Sequence, residues 1–242
     1  MTQKRMVIFD LVATITDAGD RYARAFIDVC AANDIAPPAA EDVLDMLGNK
    51  NLSEITDAFV GSKLDSAAKK DFMDSCNTAC DTMLGSAGWH EKLFPHVVET
   101  LDALQSRGYL LGVFTGTRED AMIEQLQYHN ITHYFPADRM KGKDNARDAG
   151  KTSVDLKKEH ISAIITAGGC TNDNVTIVGD SESDFRAAEA LGLNFIGIAH
   201  NDRQRAALEK CGVTVIISSM KDLAAALKPP APPETGAPRL KR

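Results

Sequence analysis

The stretch VTIVGDSESD, residues 175–184, begins as an apolar run and ends among carboxylates, Asp180 and Asp184. An apolar run without polar alternation is the habit of a strand buried on both faces, as in a parallel sheet. Ser181, with Asp184 three residues on, has the spacing of a helix-capping box, so a helix is expected to follow at once and to stop at Gly192. Four more runs share this form: MVIFD (6–10), YLLGVFTG (109–116), NFIGIAH (194–200) and VTVIISS (213–219). Helical patterns lie between them, over 96–107, 118–128 and 153–167, with shorter ones near 202–210 and 220–227. Thr117 and Asp120 repeat the capping spacing before the second of these. Strands alternating with helices predict an α/β fold, a doubly wound, Rossmann-like parallel sheet with helices on both faces.

The alternation fails between residues 17 and 93. Helical patterns cover Arg21–Ala32, Ala40–Leu47, Leu52–Phe59 and Ser66–Leu84, with no clear strand among them. We therefore expect a core of residues 1–16 and 94–227 and a small all-helical cap domain of residues 17–93. Gly85, Gly88 and Pro95 suit a hinge where the chain returns to the core. The tail, 228–242, holds five of the nine prolines and no apolar period. It is expected to be disordered or extended.

The 242 residues are 44% hydrophobic and 25% charged, an ordinary globular composition. Net charge is −7, and because the tail is basic the remainder is more acidic still. That balance argues against nucleic acid as a partner, which needs a positive face. The five cysteines, Cys30, Cys76, Cys80, Cys170 and Cys211, are odd in number and irregularly spaced, as for reduced thiols. Cys76 and Cys80, one helical turn apart, read as a buried helix face. No stretch reaches the roughly 20 apolar residues of a membrane span, and the N-terminal apolar run is too short for a signal peptide. A cytoplasmic protein with no membrane partner is the expectation; oligomeric state is not legible.

In a parallel sheet, functional groups collect at the carboxyl ends of the strands. Those ends here carry Asp10, then Thr115 with Gly116, then Asp180 with Asp184. Helix N-termini beside them favour anions. Clustered carboxylates with no cation near them in sequence repel unless a divalent ion sits among them, and oxygen ligands suit magnesium. Such a site suits a phosphate group.

This combination resembles the haloacid dehalogenase superfamily of hydrolases. VIFDLVAT matches its first motif at Asp10 and Thr14, LLGVFTG its second at Thr115, and VTIVGDSESD its fourth at Asp180 and Asp184. The third motif is a lysine upstream of a helix, best matched by Lys151, with Lys141 and Lys143 as weaker candidates. The resemblance implies magnesium-dependent hydrolysis of a small phosphorylated or phosphonate substrate. Asp10 becomes the nucleophile, and Asp10, the Val12 carbonyl, Asp180 and Asp184 the metal ligands. Thr14, Thr115 and Gly116 bind the transferring group, and Lys151 offsets its charge. In phosphatases of this family the position of Val12 is an aspartate that acts as acid and base, and that of Ala13 is glycine. Three readings stay open. One is a phosphonoacetaldehyde hydrolase-like enzyme with Lys50 forming a Schiff base; another is a dehalogenase. The third is a catalytically impaired relative that binds a phosphorylated ligand or a protein.

Overall fold

The structure, a computed structural model, describes residues 4–84, 89–144 and 146–227. The hinge glycines Gly85 and Gly88 and the proline-rich tail lie outside the described residues. Six parallel strands form one sheet: β1 (Met6–Asp10), β4 (Leu110–Arg118), β5 (Met140–Lys143), β6 (Val175–Gly179), β7 (Asn194–Ile198) and β8 (Ile216–Ile217). Their order is β5-β4-β1-β6-β7-β8. Two two-residue strands, β2 (Thr16–Asp17) and β3 (Lys92–Leu93), pair antiparallel beside it.

Alternate residues of β1 face opposite layers, as the two-residue period of a strand requires. Val7 and Phe9 pack with Leu101 and Leu104 of α5 (Val97–Ser106) and Met122 and Leu126 of α6 (Glu119–Tyr128). Met6 and Ile8 pack on the other face with Ile161 and Ile164 of α7 (Ser153–Gly168) and with Ala187 and Ala188 of α8 (Glu182–Ala190). Each such Val, Leu, Ile, Phe or Met side chain, fully buried, stabilises the fold by roughly 1.5–3 kcal/mol before entropy is counted. Two further helices, α9 (Asp202–Cys211) and α10 (Leu223–Ala226), complete the layers. The expected α/β sheet with helices on both faces is therefore what the chain adopts.

Residues 19–84 form four helices: α1 (Gly19–Ala32), α2 (Ala40–Asn49), α3 (Leu52–Phe59) and α4 (Ser66–Leu84). They enclose an apolar cluster of their own, with the Phe26 ring set edge-on to Phe59 at 6.0 Å and to Phe72 at 5.3 Å. Cys76 belongs to that cluster, and burial pushes its thiol up to about 12. The two chain segments that join these helices to the sheet are clamped together. Arg21 Nε meets Glu91 Oε1 at 2.7 Å, both side chains being buried, and Thr16 Oγ1 donates to Glu91 at 2.5 Å. Gln125 of α6 accepts from the Glu91 amide at 2.9 Å, tying the joint to the sheet layer.

Some local expectations need correction. Strand β5, MKGK, carries only alternate buried positions and two lysines, so it has no apolar run to betray it. The run 213–219 shrinks to the two-residue edge strand β8. Thr117 does not cap α6: its neighbour Asp120 is taken by Arg118 Nε at 2.9 Å, and no side chain caps that helix.

Candidate active site

Parallel register places the key groups side by side. Asp10 pairs with Phe114, and Phe9 with Val178, so β1 ends between Thr115 and the turn holding Asp180. Asp10, Asp180 and Asp184 each bring a carboxylate oxygen within 4.8 Å of the others. Asp10 and Asp184 are buried, and Asp180 is half-buried. Gly179 lets this happen. A Cβ built there would lie 2.6 Å from Asp184 Cβ, closer than real side chains come.

The cation among these acids is Lys157, not Lys151. Lys157 Nζ donates to Asp184 Oδ1 at 2.6 Å and sits 3.7 Å from Asp10 Oδ1. Burial alone would lower its pKa, but the charges of Asp184 and Asp10 outweigh burial and hold it above the usual lysine range. Lys151 turns away, to Asp148 at 3.0 Å and to Glu159, and it does not line the cavity above Asp10. Lys141 and Lys143 lie on the edge strand β5. The physical reason is helix phase: Lys157, Ile161, Ile164 and Gly168 share the face of α7 turned to the sheet, all of them buried. Lys151 precedes the helix.

Beside Asp10 the loop after β1 is tightly folded. The Leu11 carbonyl accepts from Ile15 N at 2.8 Å and Thr16 N at 2.9 Å. Ala13 adopts φ +60°, the left-handed region where glycine is favoured and a Cβ costs about 1 kcal/mol or more. Thr14 is buried with its hydroxyl lacking a partner. Thr115 is buried, its Oγ1 2.9 Å from Thr117 Oγ1. Gly116 is open, with no atom within 4 Å of where a Cβ would lie. Asp10, Val12, Thr115, Gly116, Lys157 and Asp180 all line one cavity of about 750 Å³. Lys50 lines it too, half-exposed and 3.7 Å from Glu54.

Three carboxylates face one ammonium here, and two of them, Asp10 and Asp180, hold their protons unusually tightly. Burial raises the Asp10 pKa well above the carboxylate range; Lys157 opposes this, and Asp184 and Asp180 add to it. Burial, then Asp184, push Asp180 up to about 7. The three acids could hold a metal ion, and as carboxylates they offer the oxygen donors that suit magnesium. Asp184 is already committed. It takes Lys157 on one oxygen, and the Ser181 amide at 3.0 Å and hydroxyl at 2.6 Å on the other. Asp10 and Asp180 are thus the less committed acids of the three, Asp180 accepting a long contact from Gln204 at 3.4 Å, and they could hold a metal.

A strand-end carboxylate flanked by a threonine, a buried lysine and an acidic turn defines a hydrolase site on a doubly wound sheet. Residues 7–198 match the family profile of the haloacid dehalogenase-like hydrolases, and the chain belongs to that family. It is 30% identical over 138 residues to phosphoglycolate phosphatase of Escherichia coli K12, a match covering 56% of this chain and 51% of that protein. The match thus spans about half the length of the curated relative. Among solved structures, a haloacid dehalogenase-like family hydrolase of Streptococcus pneumoniae superposes with a TM-score of 0.65. Identity there is 18%, with 93% of this chain and 99% of the other covered. A predicted phosphoglycolate phosphatase of Haemophilus somnus 129pt gives 0.64 at 21% identity, over 93% and 98% of the two chains. At such identity these two structures speak for the fold alone.

Proposed function

We propose that the protein is a magnesium-dependent phosphohydrolase using Asp10 as nucleophile. The observation that carries this is the convergence of Asp10, Thr115, Lys157 and Asp180 on one cavity at the carboxyl ends of neighbouring strands. A carboxylate oxygen of Asp10 attacks phosphorus, the bond from phosphorus to the leaving oxygen breaks, and water then cleaves the aspartyl-phosphate. Thr115 and the Gly116 amide bind the transferring oxygens, and Lys157 offsets their charge. Asp10, Asp180 and the Val12 carbonyl would hold magnesium, which would neutralise phosphoryl charge; Asp184 orients Lys157 and borders the metal position. Helices α1–α4 act as the cap: Tyr22, Leu44, Leu47, Lys50 and Leu52 come from them or from their connections and line the cavity.

Valine at position 12 cannot pass a proton, a service worth roughly 100- to 10,000-fold. The preferred substrates are therefore those whose leaving oxygen needs no proton. Hydrolysis of p-nitrophenyl phosphate tests the assignment. Asp10→Asn is expected to abolish it, and turnover surviving in that variant overturns the nucleophile.

A second reading has one observation in its favour: Lys50 shares the cavity with Asp10. Its amine would condense with the aldehyde of a phosphonoaldehyde and activate the carbon–phosphorus bond. Borohydride trapping of a Lys50 adduct would support that reading, and absence of any adduct removes it.

A further inference from the structure

Part of the lining of the cavity that holds Asp10 has a chemistry of its own. Tyr22, Leu44, Leu47, Leu52 and Phe94 line it together. Two of them, Tyr22 and Leu44, are each 37% exposed and rank among only five large apolar side chains that stand exposed among the described residues. Apolar groups left open to water beside a catalytic carboxylate mark a ligand surface rather than leftover core. Phe94 is fixed in place, its amide donating to the Ile15 carbonyl at 3.0 Å. The His200 ring stacks on it, with centroids 3.5 Å apart and planes within 10°. His200 also lines the cavity, and its Nε2 is buried without a hydrogen-bond partner. A stacked aromatic pair and aliphatic side chains thus line one space of about 750 Å³. That space lies within the range that encloses ligands of drug size, on the order of 300–1,000 Å³. A two-carbon acid esterified to phosphate would leave most of it empty.

We propose that this wall receives the leaving group, and that the substrate is a phosphate monoester of a bulky, flat, largely apolar alcohol. The proposal rests on the Asp10 reading only for which end of the substrate is the phosphate. It also agrees with Val12: aryl-type leaving oxygens depart without a proton. The rival surface is cationic, since Lys50 and Arg203 line the same cavity and would suit a second anionic group.

The test is equilibrium binding of non-hydrolysable phosphonates to the full chain in magnesium, by titration calorimetry. Benzylphosphonate is expected to bind at least about tenfold more tightly than methylphosphonate, the gain of roughly 1.4 kcal/mol that burying part of a ring supplies. Leu47→Ala and the exposed-position change Leu44→Gln should each narrow that gap several-fold. The second variant keeps the test sound if the first misfolds, because Leu44 is already partly in water. Equal affinities, no binding of either phosphonate, or tighter binding of phosphonoacetate lost in Arg203→Ala would each overturn the proposal. Failure of the Asp10 assignment reads out separately, as turnover persisting in Asp10→Asn while the phosphonate gap stands.

Discussion

Replacing Lys157 with methionine keeps the length of the side chain and removes its charge. In the parent, that ammonium lies 2.6 Å from Asp184 and 3.7 Å from Asp10, with 9% of its side chain exposed. At an effective dielectric near 20, Coulomb attraction to each carboxylate is worth about 4–6 kcal/mol, most of it offset by the desolvation of the ions. What the substitution costs is the uncompensated remainder, two buried carboxylates without a counter-charge, about 3–5 kcal/mol. For a chain of this size each kcal/mol moves the midpoint by about 2–4 °C, so thermal melts without metal should fall by about 6–20 °C. Magnesium should then restore more stability to Lys157→Met than to the parent, because the variant site is the more negative. Turnover of p-nitrophenyl phosphate should fall roughly 100- to 1,000-fold, the loss expected when one preorganised charge is removed. Lys151→Met is the control, with turnover unchanged, since its partners are Asp148 and Glu159. A Lys157→Met protein that melts with the parent and turns over normally, or a loss of turnover confined to Lys151→Met, would refute the site as drawn.

Val12→Asp should raise turnover roughly 100- to 10,000-fold on alkyl phosphates and far less on p-nitrophenyl phosphate, since only the former need a proton; equal gains on both would count against a missing acid. The pH dependence has a defined sign. Asp10 and Asp180 hold protons more tightly folded than unfolded, so their contribution is most favourable below the ordinary carboxylate pKa of about 4. It is lost as pH climbs through the raised values, near 7 for Asp180. Metal-free protein should therefore lose stability between about pH 4 and 7, and magnesium should raise the midpoint more at pH 8 than at pH 5; an equal or reversed shift in thermal melts contradicts this. Gly179→Ala forces a contact of 2.6 Å with Asp184 Cβ. It should cost about 1–3 kcal/mol in urea titrations, and an unshifted midpoint would mean the turn yields freely.

Much of the fold was legible because its strands are buried on both faces and so appear as plain apolar runs. MVIFD and VTIVG are bounded by clear turns, and β1 is buried along its whole length. The helices α3 and α4 fall at the expected residues, Leu52–Phe59 and Ser66–Leu84, because turn residues and an N-cap, Asn51, bracket them. What escaped was marginal by physics as well as by pattern. Strand β5 buries only alternate residues, and β2 with β3 are two residues long, held by the buried Arg21–Glu91 pair rather than by any run of their own. Contacts between residues 21 and 91 leave no periodic trace in a sequence.

The lysine shows the same division more sharply. Asp10, Thr115 and Asp180 were legible because strand ends announce themselves, whereas the buried lysine beside them sits on a helix, where position along the chain says little and phase says nearly everything. Lys157 falls in step with Ile161, Ile164 and Gly168, so a charged residue stands in the apolar stripe of α7. A charge placed there must be buried, and a buried ammonium must face carboxylates. The heptad-like spacing of Lys157, Ile161, Ile164 and Gly168, with Asp10 and Asp184 elsewhere in the chain, favours Lys157 over Lys151. Ala13 carries the converse lesson. The loop keeps a left-handed turn at φ +60° although the residue is not glycine. That turn therefore carries a cost in strain at Ala13. On the proposed reading, Val12 beside Asp10 suits substrates whose leaving oxygen needs no proton.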